Sequence, residues 1–243
     1  MKANVLKSKN KIVAFVFILI ISITFAIVYF VVIRTPSAKK VFNDSINNVV
    51  ELKASSESVG ESFGTAVLVN KDGTLITNAH VVMYSRLGQL NTFEEYEIRF
   101  SDEEIYRAVE LLKYDENLDL AVLKLDAEKL KLKPISIGDS SNLKHGQKVY
   151  AIGNAMNYGI SITEGIISNP LIEISYEDVL RKVIQCDIVI NEGNSGGALL
   201  NERGQLIGIT TFRIKDNRGN TVYGLGFCVP VDSAIEYVIK AKR

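Results

Sequence analysis

The chain has 243 residues, and its 28 Lys+Arg balance its 28 Asp+Glu, so the formal charge is zero and no basic stripe points to a nucleic-acid partner. Its two cysteines, Cys186 and Cys228, are too few for a disulfide scaffold and lack metal-site spacing; 17 Gly with only 4 Pro argue against low-complexity disorder. No metal and no cofactor is expected.

Residues 1–11 carry Lys2, Lys7, Lys9 and Lys11 and no acid, and residues 12–33, IVAFVFILIISITFAIVYFVVI, carry no charge at all. As a helix the uncharged run spans roughly 33 Å, against about 30 Å of bilayer hydrocarbon. It predicts a single transmembrane anchor whose partner is the lipid bilayer. The lysines ahead of it put the N-terminus in the cytoplasm and the rest of the chain outside, at the cell membrane. A cleaved signal peptide is the alternative; its apolar region is normally about 7–15 residues, and RTPSAKK offers only a weak cleavage site. Residues 34–45 read as a juxtamembrane linker, helical near Val41–Asn48.

From residue 46 onward, short β-branched runs follow one another: NVVELKAS, GTAVLVN, GTLITNAHVV, YEIRF, LDLAVLKLD, KVYAIGN, GISITEGIIS, VIQCDIVI, GQLIGITTF and VYGLGFCVP. Turn signals such as Lys71-Asp72-Gly73 and Glu202-Arg203-Gly204 separate them at hairpin spacing. Many strands without regular helices between them predict an all-β fold of antiparallel barrels or a sandwich, dividing near Lys133–Gly146. Ser233, followed three residues later by Glu236, reads as a capping box opening a short C-terminal helix over AIEYVIKAK.

The stretch NEGNSGGALL sets Ser195 among Gly193, Gly196 and Gly197. Residues without Cβ let a carbonyl substrate approach the backbone, where free N–H groups can hold a developing oxyanion. A nucleophilic serine needs a base, and the only histidines are His80 and His145. Both precede Ser195. That order excludes the α/β-hydrolase elbow, which Gly193-Asn194-Ser195-Gly196-Gly197 formally matches but which requires a histidine after the serine. His145 lies among polar residues and reads as an exposed turn; the subtilisin-like order Asp119, His145, Ser195 would need alternating strands and helices. His80 ends the apolar run LITNAHVV, where a strand gives way to a loop, and neutral imidazole can accept and return a proton near pH 7. The orienting carboxylate is Asp115 or Asp119; Asp119 opens the run LAVLKL, which would position and dehydrate it, whereas Asp115 reads as a loop residue.

His80, Asp119 and Ser195 together resemble the triad order of the chymotrypsin-like serine proteases. The blocks GTAVLVNKDGTLITNAHVV, NLDLAVLKLD, GQKVYAIGNAMNYGISITEGIIS, IQCDIVINEGNSGGALLNERGQLIGITTF and YGLGFCVP narrow the match to HtrA-type (Do-like) serine proteases over about residues 48–240. This resemblance implies two perpendicular six-stranded antiparallel barrels, about 46–135 and 146–243, with the active site between them. Ser195 would attack, His80 would take its proton and Asp119 would orient the imidazole. Backbone N–H groups of Gly193 and Ser195, with that of Asn194 nearby, would form the oxyanion hole. Asn194 stands where digestive relatives carry an aspartate that pairs with a new N-terminus, so activation by cleavage is not expected. Val81 replaces the cysteine that follows the histidine in those enzymes.

Val189, Ile190, Thr211 and Leu225, with Phe212 or Arg213 at the rim, would make an apolar pocket selecting small or medium aliphatic P1 residues. The strand Thr210-Thr211-Phe212 would offer an edge to extended polypeptides, so misfolded or flexible exported proteins are the implied substrates. Family members commonly continue into PDZ domains, whereas this chain stops at Arg243, and an absence of PDZ-based capture is expected. A homotrimer, frequent in the family, stays open, as does a disulfide between Cys186 and Cys228. The loop GNAMNYGISI is a candidate for a segment that orders only with substrate.

Overall fold

The computed structural model describes residues 2–29, 36–128, 130–176, 179–215 and 221–242, with backbone alone at 2–11, 213–215, 221 and 223. It separates into two units, Met1–Ser37 and Ala38–Arg243. The first unit holds helix α1 (Lys2–Val28), in which every large apolar side chain described from Ile12 onward is exposed. Residues 30–33 of the expected span lie outside the described residues, and among the described residues no helix is long and apolar enough to cross a membrane.

The second unit opens with helix α2 (Ala38–Ser45) and a 3-10 turn, Ile46–Asn48. Here the expected linker is corrected: Val41 is fully buried in the core cluster that also holds Val49, Leu206 and Tyr237, so residues from Ala38 onward belong to the folded body. Chain order then gives β1 (Val49–Ser56), β2 (Gly60–Leu68), β3 (Thr74–Thr77), the single turn α3 (Ala79–Val82), and the hairpin β4 (Met83–Arg86) and β5 (Gln89–Thr92). Next come β6 (Glu95–Arg99), β7 (Arg107–Asp115) and β8 (Leu120–Leu125). β1, β2, β3, β8, β7 and β6 close, in that order, into one antiparallel barrel.

The second barrel uses β9 (Lys148–Gly153), β10 (Ser161–Tyr176), β11 (Val179–Cys186), β12 (Ala198–Asn201), β13 (Leu206–Lys215) and β14 (Thr221–Pro230). They close in the order β10, β11, β14, β13, β12, β9. Helix α4 (Val231–Ala241) follows directly. Its capping differs from expectation: the helix starts at Val231, with Ser233 and Glu236 already inside it and Pro230 at the N-cap. Proline's fixed φ suits a helix start, and Asp232 ties the first turn to the body by accepting the Ser140 hydroxyl at 2.6 Å.

Side-chain alternation explains how the barrels join. Along β8, Ala121, Leu123 and Leu125 point into the first barrel with Leu52, Leu68, Leu75 and Ile98. Leu120 and Val122, on the other face, pack with Val67 and Ile76 against Ile152, Ala198, Leu200 and Ile209 of the second barrel. Both faces of β8 are therefore dry, which is why its sequence is almost continuously apolar rather than alternating. Burying each such side chain stabilises by about 1.5–3 kcal/mol, so this shared core fixes the two barrels as one body. Cys186 and Cys228 lie on neighbouring β11 and β14 as buried free thiols. The hydrogen bond with Cys186, reinforced by burial, pushes the Cys228 thiol well up.

Candidate active site

β3 ends at Thr77, and the turn α3 buries Ala79, Val81 and Val82, which leaves His80 to face the space between the barrels with its side chain 47% exposed. Asp119 stands just ahead of β8 with φ +52, in the left-handed region that aspartate tolerates better than most residues. Its carboxylate is 5% exposed and faces the imidazole, with Oδ2 at 2.9 Å and Oδ1 at 3.0 Å from His80 Nδ1. An ionised carboxylate only accepts, so Nδ1 carries the proton and Nε2 is the unprotonated ring nitrogen. The His80 backbone N–H and the Thr211 hydroxyl also donate to Asp119, at 3.1 and 2.7 Å. Asp115 is engaged elsewhere, accepting the Leu118 N–H at 3.0 Å, and His145 sits in an exposed turn.

Ser195 lies in consecutive turns between β11 and β12, held largely by the first barrel. Thr65 of β2 donates its hydroxyl to Gly193 O (2.6 Å), accepts the Asn154 N–H (3.0 Å), and sends its own N–H to Ser195 O (2.9 Å). Asn78 is a second staple, donating to Asp119 O at 2.8 Å and accepting the Gly196 N–H at 2.7 Å. Gly196, at φ +82, lies so close to Thr65 O and Thr77 Oγ1 that a Cβ would collide with both. Gly193, at φ +87, is equally confined by the Asn154 carbonyl.

These turns set the N–H groups. Asn194 N–H is taken by Asn191 O at 3.0 Å, which removes it from the expected oxyanion trio. Those of Gly193 and Ser195 donate to no group among the described residues. The loop after β9 supports them: Met156 N–H donates to Glu192 O at 2.7 Å, with Met156 and Asn157 both left-handed. Asn154 knits that loop by bonding the Asn157 side chain (3.1 Å) and the Gly159 N–H (2.8 Å). The Ser195 hydroxyl itself donates to Thr211 O at 3.0 Å. Ser195 and His80 line the same two cavities, of about 620 and 430 Å³.

A family profile described as a trypsin-like peptidase domain matches residues 64–209. The chain belongs to that family. Among curated relatives, Protease Do-like 1, chloroplastic, of Arabidopsis thaliana is 36% identical over 178 residues, covering 72% of this chain and 38% of the relative. Serine endoprotease DegS of Haemophilus influenzae is 32% identical over 220 residues, covering 87% of this chain and 62% of the relative. The solved structure of HtrA-type protease AlgW with tripeptide superposes with a TM-score of 0.71 at 32% identity, over 83% of this chain and 62% of that one. This trypsin-like peptidase domain is thus similar to HtrA-type proteases, and the chain spans less than two thirds of the length of these relatives.

Within this trypsin-like domain the electrostatics favour an ionised Asp119. Burial alone would raise its carboxyl, but the His80 charge and hydrogen bonds, with the Thr211 hydroxyl, outweigh it and hold the group below the usual carboxylate range. Arg181 adds a cation, its Nη1 3.8 Å from Asp119 Oδ2.

The substrate-pocket expectation needs correction. Along the extended stretch after β11, Ile188 and Ile190 turn into the core, whereas Val189 is 42% exposed and lines neither cleft cavity. Ile190, Thr211 and Phe212 do line the larger cavity. Leu225 packs instead on the cluster of Val183, Phe212 and Phe227, and the Arg213 side chain lies outside the described residues. Sequence reasoning missed Thr65, Asn78 and Arg181, and it placed Thr211 only in the substrate pocket and on the substrate-binding edge. A signal existed for two of them: a threonine in GTAVL and an asparagine in LITNAH are polar groups within buried runs, and such groups require partners.

Proposed function

We propose that this chain is a membrane-anchored serine endopeptidase that cleaves misfolded or flexible exported polypeptides by an acyl-enzyme route. The observation that carries the reading is the Asp119 carboxylate 2.9 Å from His80 Nδ1 while His80 and Ser195 share the cleft. The Ser195 O–H must leave Thr211 O and turn to Nε2. Oγ then bonds the peptide carbonyl carbon as the proton passes to His80. The oxyanion is received by the Gly193 and Ser195 N–H groups, the imidazolium gives its proton to the departing amine, and water hydrolyses the ester by the reverse proton path.

An aliphatic P1 of small or medium size fits Ile190, and Gly226 opposite is already approached by Ile188 O and the Ile190 side chain. The uncharged run 12–33 supports an anchor, with the lysines before it on the cytoplasmic side and the peptidase outside. A homotrimer is the assembly consistent with the family resemblance.

A fluorophosphonate probe is expected to label the chain and to lose all labelling in Ser195→Ala. Peptide profiling is expected to give cleavage after Ala or Val. An unlabelled parent chain would overturn the peptidase reading, and dominant cleavage after Arg or Lys the P1 assignment.

A further inference from the structure

We propose that Arg181 is a positioning residue for the catalytic aspartate: a cationic strut across the cleft that keeps His80 a neutral base toward more acidic pH. The inference rests on the peptidase reading above and extends it to a residue outside the triad.

Arg181 projects from β11 of the second barrel, yet its guanidinium works on the first. Nη2 donates to the Glu116 carbonyl at 3.0 Å, in the turn that delivers Asp119, and Nη1 stands 3.8 Å from Asp119 Oδ2. Its Cζ lies 5.8 Å from the Tyr176 ring centroid and 5.9 Å from that of Phe212, and those two rings stack 4.0 Å apart. The side chain is only 10% exposed, and its buried Nε has no hydrogen-bond partner among the described residues. A desolvated donor left unpaired destabilises the fold, so packing alone does not account for an arginine here. The planar fork bonds one segment, faces a carboxylate and lies against aromatic rings; a lysine would supply the charge but not that geometry.

The electrostatic consequence has a definite sign. Asp119 already accepts from the His80 backbone, the His80 ring and Thr211. A second cation beside it dilutes the negative potential at His80, so the imidazolium gains less from the carboxylate and the neutral base persists to lower pH. The other titratable groups lining this cavity among the described residues are Tyr84 on β4, Glu116 in the turn before β8, Tyr176 on β10 and Glu192 on the nucleophile loop. Both acids act opposite to Arg181 and remain in every variant below.

With only two histidines, the test is direct. In the full chain carrying Ser195→Ala and His145→Asn, the single remaining imidazole is titrated by NMR with and without Arg181→Gln. The His80 midpoint is expected to rise by about half a pH unit or more in Arg181→Gln, and to return most of the way in Arg181→Lys. In the chain with Ser195 intact, the acid limb of the fluorophosphonate labelling rate should move upward by the same amount. Arg181→Met, which keeps an apolar stem between the rings, is the second neutral variant should Arg181→Gln fold poorly. A merely structural role would lower the melting temperature or the labelled fraction and leave the midpoint in place. That unchanged midpoint would overturn the proposal. A parent chain that takes no label would defeat the peptidase reading alone, because the imidazole titration still decides the role of Arg181.

Discussion

In the first barrel, His80 and Asp119 flank rigid strands: β3 ends three residues before the imidazole, and β8 begins one residue after the carboxylate. In the second barrel, Ser195 occupies consecutive turns, and its loop takes its shape from outside, from Thr65, Asn78 and the left-handed Met156. The proposed base and its orienter are thus held by strand ends with dry faces, whereas the proposed nucleophile and oxyanion donors depend on a few hydrogen bonds between the barrels. Damage to the first half should therefore remove chemistry at a single atom. Damage to the second should misplace a loop and lower stability and turnover together.

The largest effect expected after loss of Ser195 itself is that of Asp119→Asn. The amide would still fit, but it can donate to Nδ1 and so favour the wrong tautomer, and kcat should fall about 10⁴-fold with KM little changed. Steady-state kinetics on a peptide ending in Ala at P1 checks this. The same variant has a stability signature: because the native carboxyl is depressed, its contribution is present above the usual aspartate range and is lost as pH falls through the native value. Acid unfolding of Asp119→Asn should lack that component.

Thr65→Val sharpens the contrast from the other side. The volume is kept, but the Gly193 carbonyl and the Asn154 N–H lose a buried partner, costing about 1–3 kcal/mol in urea unfolding. Turnover should fall about tenfold as the Gly193 N–H drifts from the oxyanion, well short of the 10²–10³ expected for losing a donor outright. Unchanged stability with unchanged turnover would mean that the staple is dispensable.

The smallest effect is alkaline and lies away from the cleft. Tyr96 donates to Phe93 O at 2.8 Å and Val82 O at 3.2 Å, and burial pushes its phenol up to about 12. Its stabilisation is complete below the unfolded value of about 10 and declines between about 10 and 12 as the unfolded chain ionises first. Tyr96→Phe should flatten part of that decline in denaturant melts. Tyr237, also raised to about 12 by burial and by Asp115, keeps the remainder.

Much of this was legible along the chain. Apolar runs between glycine turns announced the strands, and two histidines, both upstream of one glycine-flanked serine, left little choice of base. The misreadings share a cause. Val189 looked like pocket lining because its distance from Ser195 is countable, but whether a residue in an extended segment faces the cleft or the solvent is set by the alternation around it. Ser233 and Glu236 matched a capping pattern locally, yet the backbone entered the helix at Val231, where Pro230 and the Ser140–Asp232 contact start it. Residues 38–45 looked like a linker because only Val41 marks them as core, and the residues that share its core cluster, such as Leu206 and Tyr237, lie far along the chain.

The sequence by itself determined which chemistry was available: the strand-forming pattern, the order His80, Asp119, Ser195, and the glycines that permit the backbone of the nucleophile loop. These are short-range facts of side-chain type and spacing. Only the tertiary structure decided that the Asn194 N–H is taken by Asn191 O, and that Thr65, Asn78, Thr211 and Arg181 tie the halves together. Each of those depends on groups brought within about 3–4 Å by the packing of β8 between two barrels, and no periodicity along a single strand encodes such a meeting.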